Sequence, residues 1–267
     1  MLHLLGTSLS LEQLLVLKLS PLMLAIVCVA GPVLLSYLGL LLTRKFVTAE
    51  YLRQHHDVTG PFFGTLGTVY GVFLAFIVAT TWQFYATTGT NVVQEARCLS
   101  ELYSNSIAFP SPFKEEIQQL LRAYRDAVVT REWKSLAIGE ADPEASKLLR
   151  QIEHAYAAHK VADTSEDVFF HESVRSLNQM QDLRSSRIDD SCTGLVPFLW
   201  CVLLAGGALT IGFSFLFGAQ NFNAQAAMTM LLTAIIAITL YTIVNLDFPF
   251  SGLVAISDEP FARVDLK

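Results

Sequence analysis

Charged positions are missing from four stretches of the chain: residues 21–42, 61–85, 195–217 and 226–246. An α-helix rises 1.5 Å per residue, so about 20 apolar residues cross a hydrocarbon core of about 30 Å. Each stretch is long enough, and the pattern predicts four transmembrane helices. The first closes on Arg44 and Lys45, placed to sit among headgroups. A cleaved signal peptide competes for that first stretch, because residues 27–31 are rich in small side chains. Yet the apolar run continues past any cleavage point there, and no basic cluster precedes it. Pro61 suits the first turn of the second helix. Residues 218–225 read as a short polar turn that makes a hairpin of the last two spans.

Between the second and third spans the pattern changes. Glu95, Arg97 and Glu101 bring charge back, and Pro110-Ser111-Pro112 interrupts the chain. Apolar positions then recur at helical spacing: Ile117, Leu120, Leu121, Tyr124, Val128 and Trp133 in one run, Leu148, Leu149, Ile152 and Tyr156 in the next, and Val174, Leu177, Met180 and Leu183 in a third. Asp142-Pro143-Glu144 reads as a turn into a helix, and Ser10-Leu11-Glu12-Gln13 has capping-box spacing. No alternating strand pattern accompanies these runs. The expected architecture is an all-α integral membrane protein, with two pairs of transmembrane helices flanking a cytoplasmic helical domain. Its parts are residues 1–86 with a surface helix and the first pair, 87–190 as the domain, 191–247 as the second pair, and a tail over 248–267.

The second span has two unlike sides. Gly64, Gly67, Gly71, Ala75 and Ala79 trace a stripe of small residues that drifts slowly around a helix. In lipid, where apolar surface gains nothing by association alone, such stripes let helices approach closely. Val69, Phe73, Phe76, Ile77, Thr80 and Phe84 fall about half a turn away. That bulky stripe faces lipid, or it lines a pore as rings from identical subunits, where phenylalanines form a constriction that gates by dewetting. No Asp, Glu, Lys, Arg or His lies in any span. Ion-coupled machines keep such residues in the membrane as relays. Their absence fits passive conduction and equally a silent anchor.

Composition adds less. The chain has 267 residues, 52% hydrophobic and 16% charged, with net charge −6. Nothing there makes a basic footprint for nucleic acid. The four cysteines show no metal or disulfide spacing. His55-His56-Asp57 is a solvated loop rather than a metal site, since adjacent histidines diverge and no third ligand is near. Asp163 to Asp167 lacks EF-hand spacing. No phosphate loop or activated nucleophile stands out, so the chain does not read as an enzyme, and no cofactor is expected. Lys18, Arg97, Arg175, Arg184, Arg187, Arg263 and Lys267 flank the membrane on one side, against Arg44, Lys45 and Arg53 on the other. The positive-inside rule then puts the domain and both ends in the cytoplasm.

The motif Gly64-Thr65-Leu66-Gly67-Thr68-Val69-Tyr70-Gly71-Val72-Phe73 and the tail segment Leu246-Asp247-Phe248-Pro249-Phe250-Ser251-Gly252 resemble the bestrophin-like family of bacterial membrane proteins. Glu95-Ala96, Tyr124, Glu132-Trp133, Arg184 and Arg187 extend the resemblance. It implies a bacterial inner-membrane homo-oligomer, a pentamer, that conducts chloride or another small anion. The second helix would line the pore and Phe73, Phe76 or Ile77, and Phe84 would form its neck. Arg184 and Arg187 would then gather anions at an entrance; as an alternative they snorkel to headgroups. Asp258-Glu259 stands where bestrophins carry a calcium clasp, and reads as solvated surface. The glycine–threonine–valine helix also resembles stator proteins of the ExbB and TolQ type, which would make the chain a non-conducting scaffold or stator partner. Their long loop, however, precedes that helix and they have three spans.

Overall fold

The computed structural model describes residues 21–47, 56–217 and 221–266. The cap at Ser10, Lys18, Arg53, His55 and Lys267 lie outside the described residues. The chain is all-helical, with no strand among the described residues, and four helices are long and apolar enough to cross a membrane. In chain order the elements are α1 (Pro21–Ala25), a π-helical turn (Ile26–Ala30), α2 (Gly31–Phe46), α3 (His56–Asn105), α4 (Phe113–Ala127), a second π-helical turn (Val128–Glu132), α5 (Trp133–Leu136), α6 (Pro143–Ala158), α7 (Thr164–Cys192), α8 (Pro197–Ser214), α9 (Phe222–Asp247) and α10 (Glu259–Ala262). They fall into two compact units, one holding residues 21–83 and 194–247 and the other 84–193 and 248–266.

The first unit is the membrane unit. Pro32 has no N–H to offer the Cys28 carbonyl, and the chain answers with a π turn in which the Gly31 N–H reaches back to the Ile26 carbonyl. Tyr70, Leu74, Ile77, Trp200, Leu203, Ile236 and Ile243 form the packed interior. Its closest approach is Tyr70 on Gly206: a Cβ there would lie 2.5 Å from the Tyr70 ring, and the phenol donates 2.8 Å to the Leu203 carbonyl. At the end of α9, Asp247 accepts from the Leu195 N–H at 2.7 Å.

The second unit is the polar helical domain with the tail folded onto it. Asp142 caps α6 by accepting from the Glu144 and Ala145 N–H groups. Asp163 caps α7, accepting from Glu166 N, while Glu166 returns to accept from Ala162 N. This reciprocal cap explains the acidic run that sequence spacing left without a role. Phe250, Phe261 and Leu266 of the tail join the core around Leu121, Tyr124 and Ile152.

Three expectations need correction. Pro61 does not open α3, which begins at His56; it sits in the second turn, where its missing N–H costs one bond to the Asp57 carbonyl. The second span does not end near Tyr85 as a helix: α3 runs without a break to Asn105. Nothing in residues 86–105 is a helix breaker except Gly89, so charge returns on an intact helix. The polar turn expected through Gln225 is shorter, because α9 starts at Phe222 and Gln225 is a buried helical residue that accepts from Arg44.

Candidate functional site

Residues 58–94 carry no Asp, Glu, Lys, Arg or His. At 1.5 Å per residue that charge-free segment of α3 is about 55 Å long, well beyond a hydrocarbon core of about 30 Å. Within the membrane unit one side of α3 is used up. Tyr70, Leu74, Ile77 and Thr81 are buried, and Thr81 donates to its own helix at the Ile77 carbonyl. The opposite side is open: Val69, Val72 and Phe76 are each about two-thirds exposed (65%, 66% and 64%), and Thr80 is exposed beside them.

The bulky stripe is therefore not one face. Val69, Phe76 and Thr80 share the open side, Phe73 is half-buried against the packed interior, and Ile77 is 3% exposed inside it. Ile77 cannot contribute to a pore neck in this packing, because it fills the space between α3, α8 and α9. Phe84, in the second unit, is half-buried. Among the described residues the small-residue stripe is also not a contact within the chain. A Cβ added at Gly64, Gly67 or Gly71 would meet nothing within 4 Å, and Ala75 and Ala79 are exposed. The small residues that do the packing are Gly206 and Gly207, whose Cβ positions lie against Tyr70. The hydroxyls of the open side are satisfied locally: Thr65, Thr68 and Thr80 donate to carbonyls three or four residues back. They leave oxygen lone pairs, and no charge, facing outward.

The charge of the second unit is concentrated in one buried network. Arg187 is fully buried and donates to Glu95 through Nε (2.6 Å) and Nη2 (2.9 Å), and to Glu132 through Nη2 (2.8 Å). Arg184 donates to both Glu132 oxygens and to Ser146 at 2.8 Å, and Tyr124 donates to Glu95 at 3.1 Å. Two carboxylates and two guanidiniums cancel. The Arg187 guanidinium also lies 5.2 Å from the Trp133 ring and 5.6 Å from that of Phe261, which suits a cation whose Nη1 has no hydrogen-bond partner. Burial pulls the Arg187 pKa down, but Glu95 and Glu132 outweigh it and hold the group above its ordinary value. Burial, with Glu95 beside it, pushes the Tyr124 phenol well above its usual range.

Arg184 and Arg187 consequently do not form an exposed positive entrance, nor do they snorkel. Both are buried, and both are neutralised by the carboxylates they hold. The sequence carried a signal for this. Arg184 and Arg187 continue the buried stripe of Leu177 and Met180 at helical spacing, and charges on a core stripe demand partners. Glu132 falls in the π turn, which shifts the register of the α4 stripe and hid it from the periodicity.

The tail motif is structural in the same way. Pro249 O accepts from Ile256 N at 2.7 Å, Gly252 holds the turn at φ +80°, and Phe250 meets the Trp133 ring edge-on at 5.8 Å. Trp133 Nε1 donates to the Ile256 carbonyl at 3.0 Å. Asp258 and Glu259 start α10, where Glu259 pairs with Arg263 in solvent. Among the described residues no group of three or more His, Cys, Asp or Glu could hold a metal ion.

A family model described as the bestrophin-like domain matches residues 30–261. No curated protein sequence matches. Among solved structures, a mutant of a bacterial bestrophin homolog from Klebsiella pneumoniae superposes with a TM-score of 0.67 at 12% identity, covering 88% of this chain and 96% of that one. The same homolog solved by zinc phasing gives 0.64 at 13%, covering 88% and 95%. A mutant described as a membrane protein gives 0.66 at 12%, again with 88% and 95% covered.

Proposed function

Because the chain belongs to the bestrophin-like family, we propose that it is an oligomeric ion channel whose conduit is lined by the open side of α3. The observation that supports this is the pairing of a charge-free helical segment about 55 Å long with a side left uncovered by the described residues of its own subunit. Val69, Phe76 and Thr80 are the lining residues of that side, and Phe76 is its widest apolar group. Repeated around a symmetry axis, Phe76 makes a hydrophobic constriction that conducts when wet and closes by dewetting. The small stripe of Gly64, Gly67, Gly71, Ala75 and Ala79 is the surface that a neighbouring copy approaches. A fivefold ring and preference for small anions such as chloride follow from family resemblance alone. Arg184 and Arg187 are neutralised, and the hydroxyls of the open side face outward as acceptors, so no group on α3 supplies an attraction for anions and that preference rests on the resemblance.

The test is conduction. Purified protein in planar bilayers with asymmetric potassium chloride should carry current, and the sign of the reversal potential should report anions. Phe76→Ala should raise the open probability several-fold, whereas Leu231→Ala, an exposed apolar site on α9, should not. Electrical silence in wild type and in Phe76→Ala would overturn the channel reading.

A further inference from the structure

The membrane unit holds a groove of about 740 Å³ between α2, α8 and α9, walled by residues such as Leu35, Leu42, Leu204, Ile211, Ile236 and Leu240. Two of its hydroxyls already donate within the chain. Ser36 donates to the Val33 carbonyl and Thr233 to the Thr229 carbonyl, each at 2.8 Å. The groove exists because its floor is small: a Cβ at Gly212 would meet nothing within 4 Å. Leu35, Leu42 and Leu204 at its rim are 71%, 58% and 57% exposed.

Dimensions choose among occupants. Cys28 and Leu42 both line the groove, so it extends about 21 Å along the first span. One leaflet of a bilayer with a core of about 30 Å is shorter than that. Spread over this length, the volume gives a mean cross-section of about 35 Å². A single hydrocarbon chain fits this width, and a second copy seated over the rim is the competing occupant.

Charge marks one end. Phe215 lines the groove, Gln225 donates to the Phe215 carbonyl, and Arg44 donates to Gln225. Arg44 and the exposed Lys45 therefore stand at this mouth. Of the described side chains in the unit, Asp247 alone is acidic, and it is at the opposite end of α9.

We propose that this groove binds one acyl chain of an anionic phospholipid from the surrounding bilayer, with the lipid phosphate held at Lys45. The assignment concerns a lipid-binding site and does not rest on conduction, so an electrically silent protein would leave it standing.

Native mass spectrometry of the full-length detergent-solubilised protein tests it, after delipidation and addition of phosphatidylglycerol or phosphatidylethanolamine. Wild type should retain one phospholipid per chain and favour phosphatidylglycerol at least five-fold. Gly212→Leu should cut occupancy at least ten-fold while oligomeric mass and melting midpoint stay unchanged. Lys45→Gln should keep a bound lipid but lose the headgroup preference. Ala208→Leu, also on the groove wall, carries the test if Gly212→Leu does not fold. Equal lipid retention by wild type and both filling variants overturns the site. A change of oligomeric mass in the filling variants overturns it too, because a second copy would then cover the groove. Retention without headgroup preference in wild type overturns the role of Lys45.

Discussion

At the residue scale the decisive fact is that four charges are buried together. A lone ion in the interior costs several kcal/mol, and a buried pair with one member removed costs about 3–5 kcal/mol, because the survivor stays uncompensated. Arg187 is the worst case: it has no exposed surface and one nitrogen already without a hydrogen-bond partner. Glu95→Gln and Arg187→Met should each lower stability by about 3–5 kcal/mol. Arg97→Met, which breaks an exposed pair with Glu101, should change it by less than about 1 kcal/mol. Thermal melts in detergent, followed by size-exclusion profiles, provide the comparison. Added salt should leave the wild-type midpoint unchanged, since screening acts poorly on buried charges. Equal effects of Glu95→Gln and Arg97→Met would mean that the network is solvated. The sequence marks Glu95, Tyr124, Glu132, Arg184 and Arg187, but its pattern reads the arginines as surface charge. A single chain gives no direct sign of which carboxylate folds back onto an arginine 52 or 92 positions away.

At the element scale, the contact that fixes α3 in the membrane unit is a ring against a glycine. Tyr70 lies over Gly206 and is held by its bond to the Leu203 carbonyl, so the ring cannot swing aside without losing both. Gly206→Ala places a methyl 2.5 Å from ring carbons. Overpacking of this kind costs about 1–3 kcal/mol, and the melting midpoint should fall accordingly. Tyr70→Leu combined with Gly206→Ala should recover part of the loss, whereas Gly67→Ala should be neutral within the subunit. If Gly67→Ala is the more damaging single change in a monomeric preparation, then the small-residue stripe packs inside the chain after all. The spans themselves were legible because charge is absent for 20 residues or more, a signal no local detail can blur. Which side of α3 packs inward was not legible. Small residues admit close approach but do not say whose helix approaches, and within the chain the small residues come from α8 instead.

At the scale of the whole molecule, topology follows from where the tail lands. Trp133 lies between the second and third spans, and Ile256 lies beyond the fourth, yet Nε1 of one donates to the carbonyl of the other. Tyr85 donates to the Val254 carbonyl in the same unit, at 2.7 Å. The chain between Trp133 and Ile256 must then cross the membrane an even number of times, and α8 and α9 supply two crossings. What separates the chain from a three-span stator arrangement is the count of helices long and apolar enough to cross a membrane, which is four among the described residues. Lys45, near the end of α2, is one crossing of α3 away and is expected on the other side. The positive-inside count predicts the direction, with the second unit expected on the cytoplasmic side. Single cysteines in a background with Cys28, Cys98, Cys192 and Cys201 replaced by serine should report it. In intact cells with a permeabilised outer envelope, a membrane-impermeant maleimide should label Lys45→Cys at once. Arg131→Cys and Val254→Cys, both exposed, should be labelled only after the inner membrane is opened. The reverse order would invert the protein in the membrane and turn Lys45 toward the cytoplasmic leaflet. Labelling of Arg131→Cys and Val254→Cys from opposite sides would break the four-span fold itself, since no bond joins groups across a bilayer.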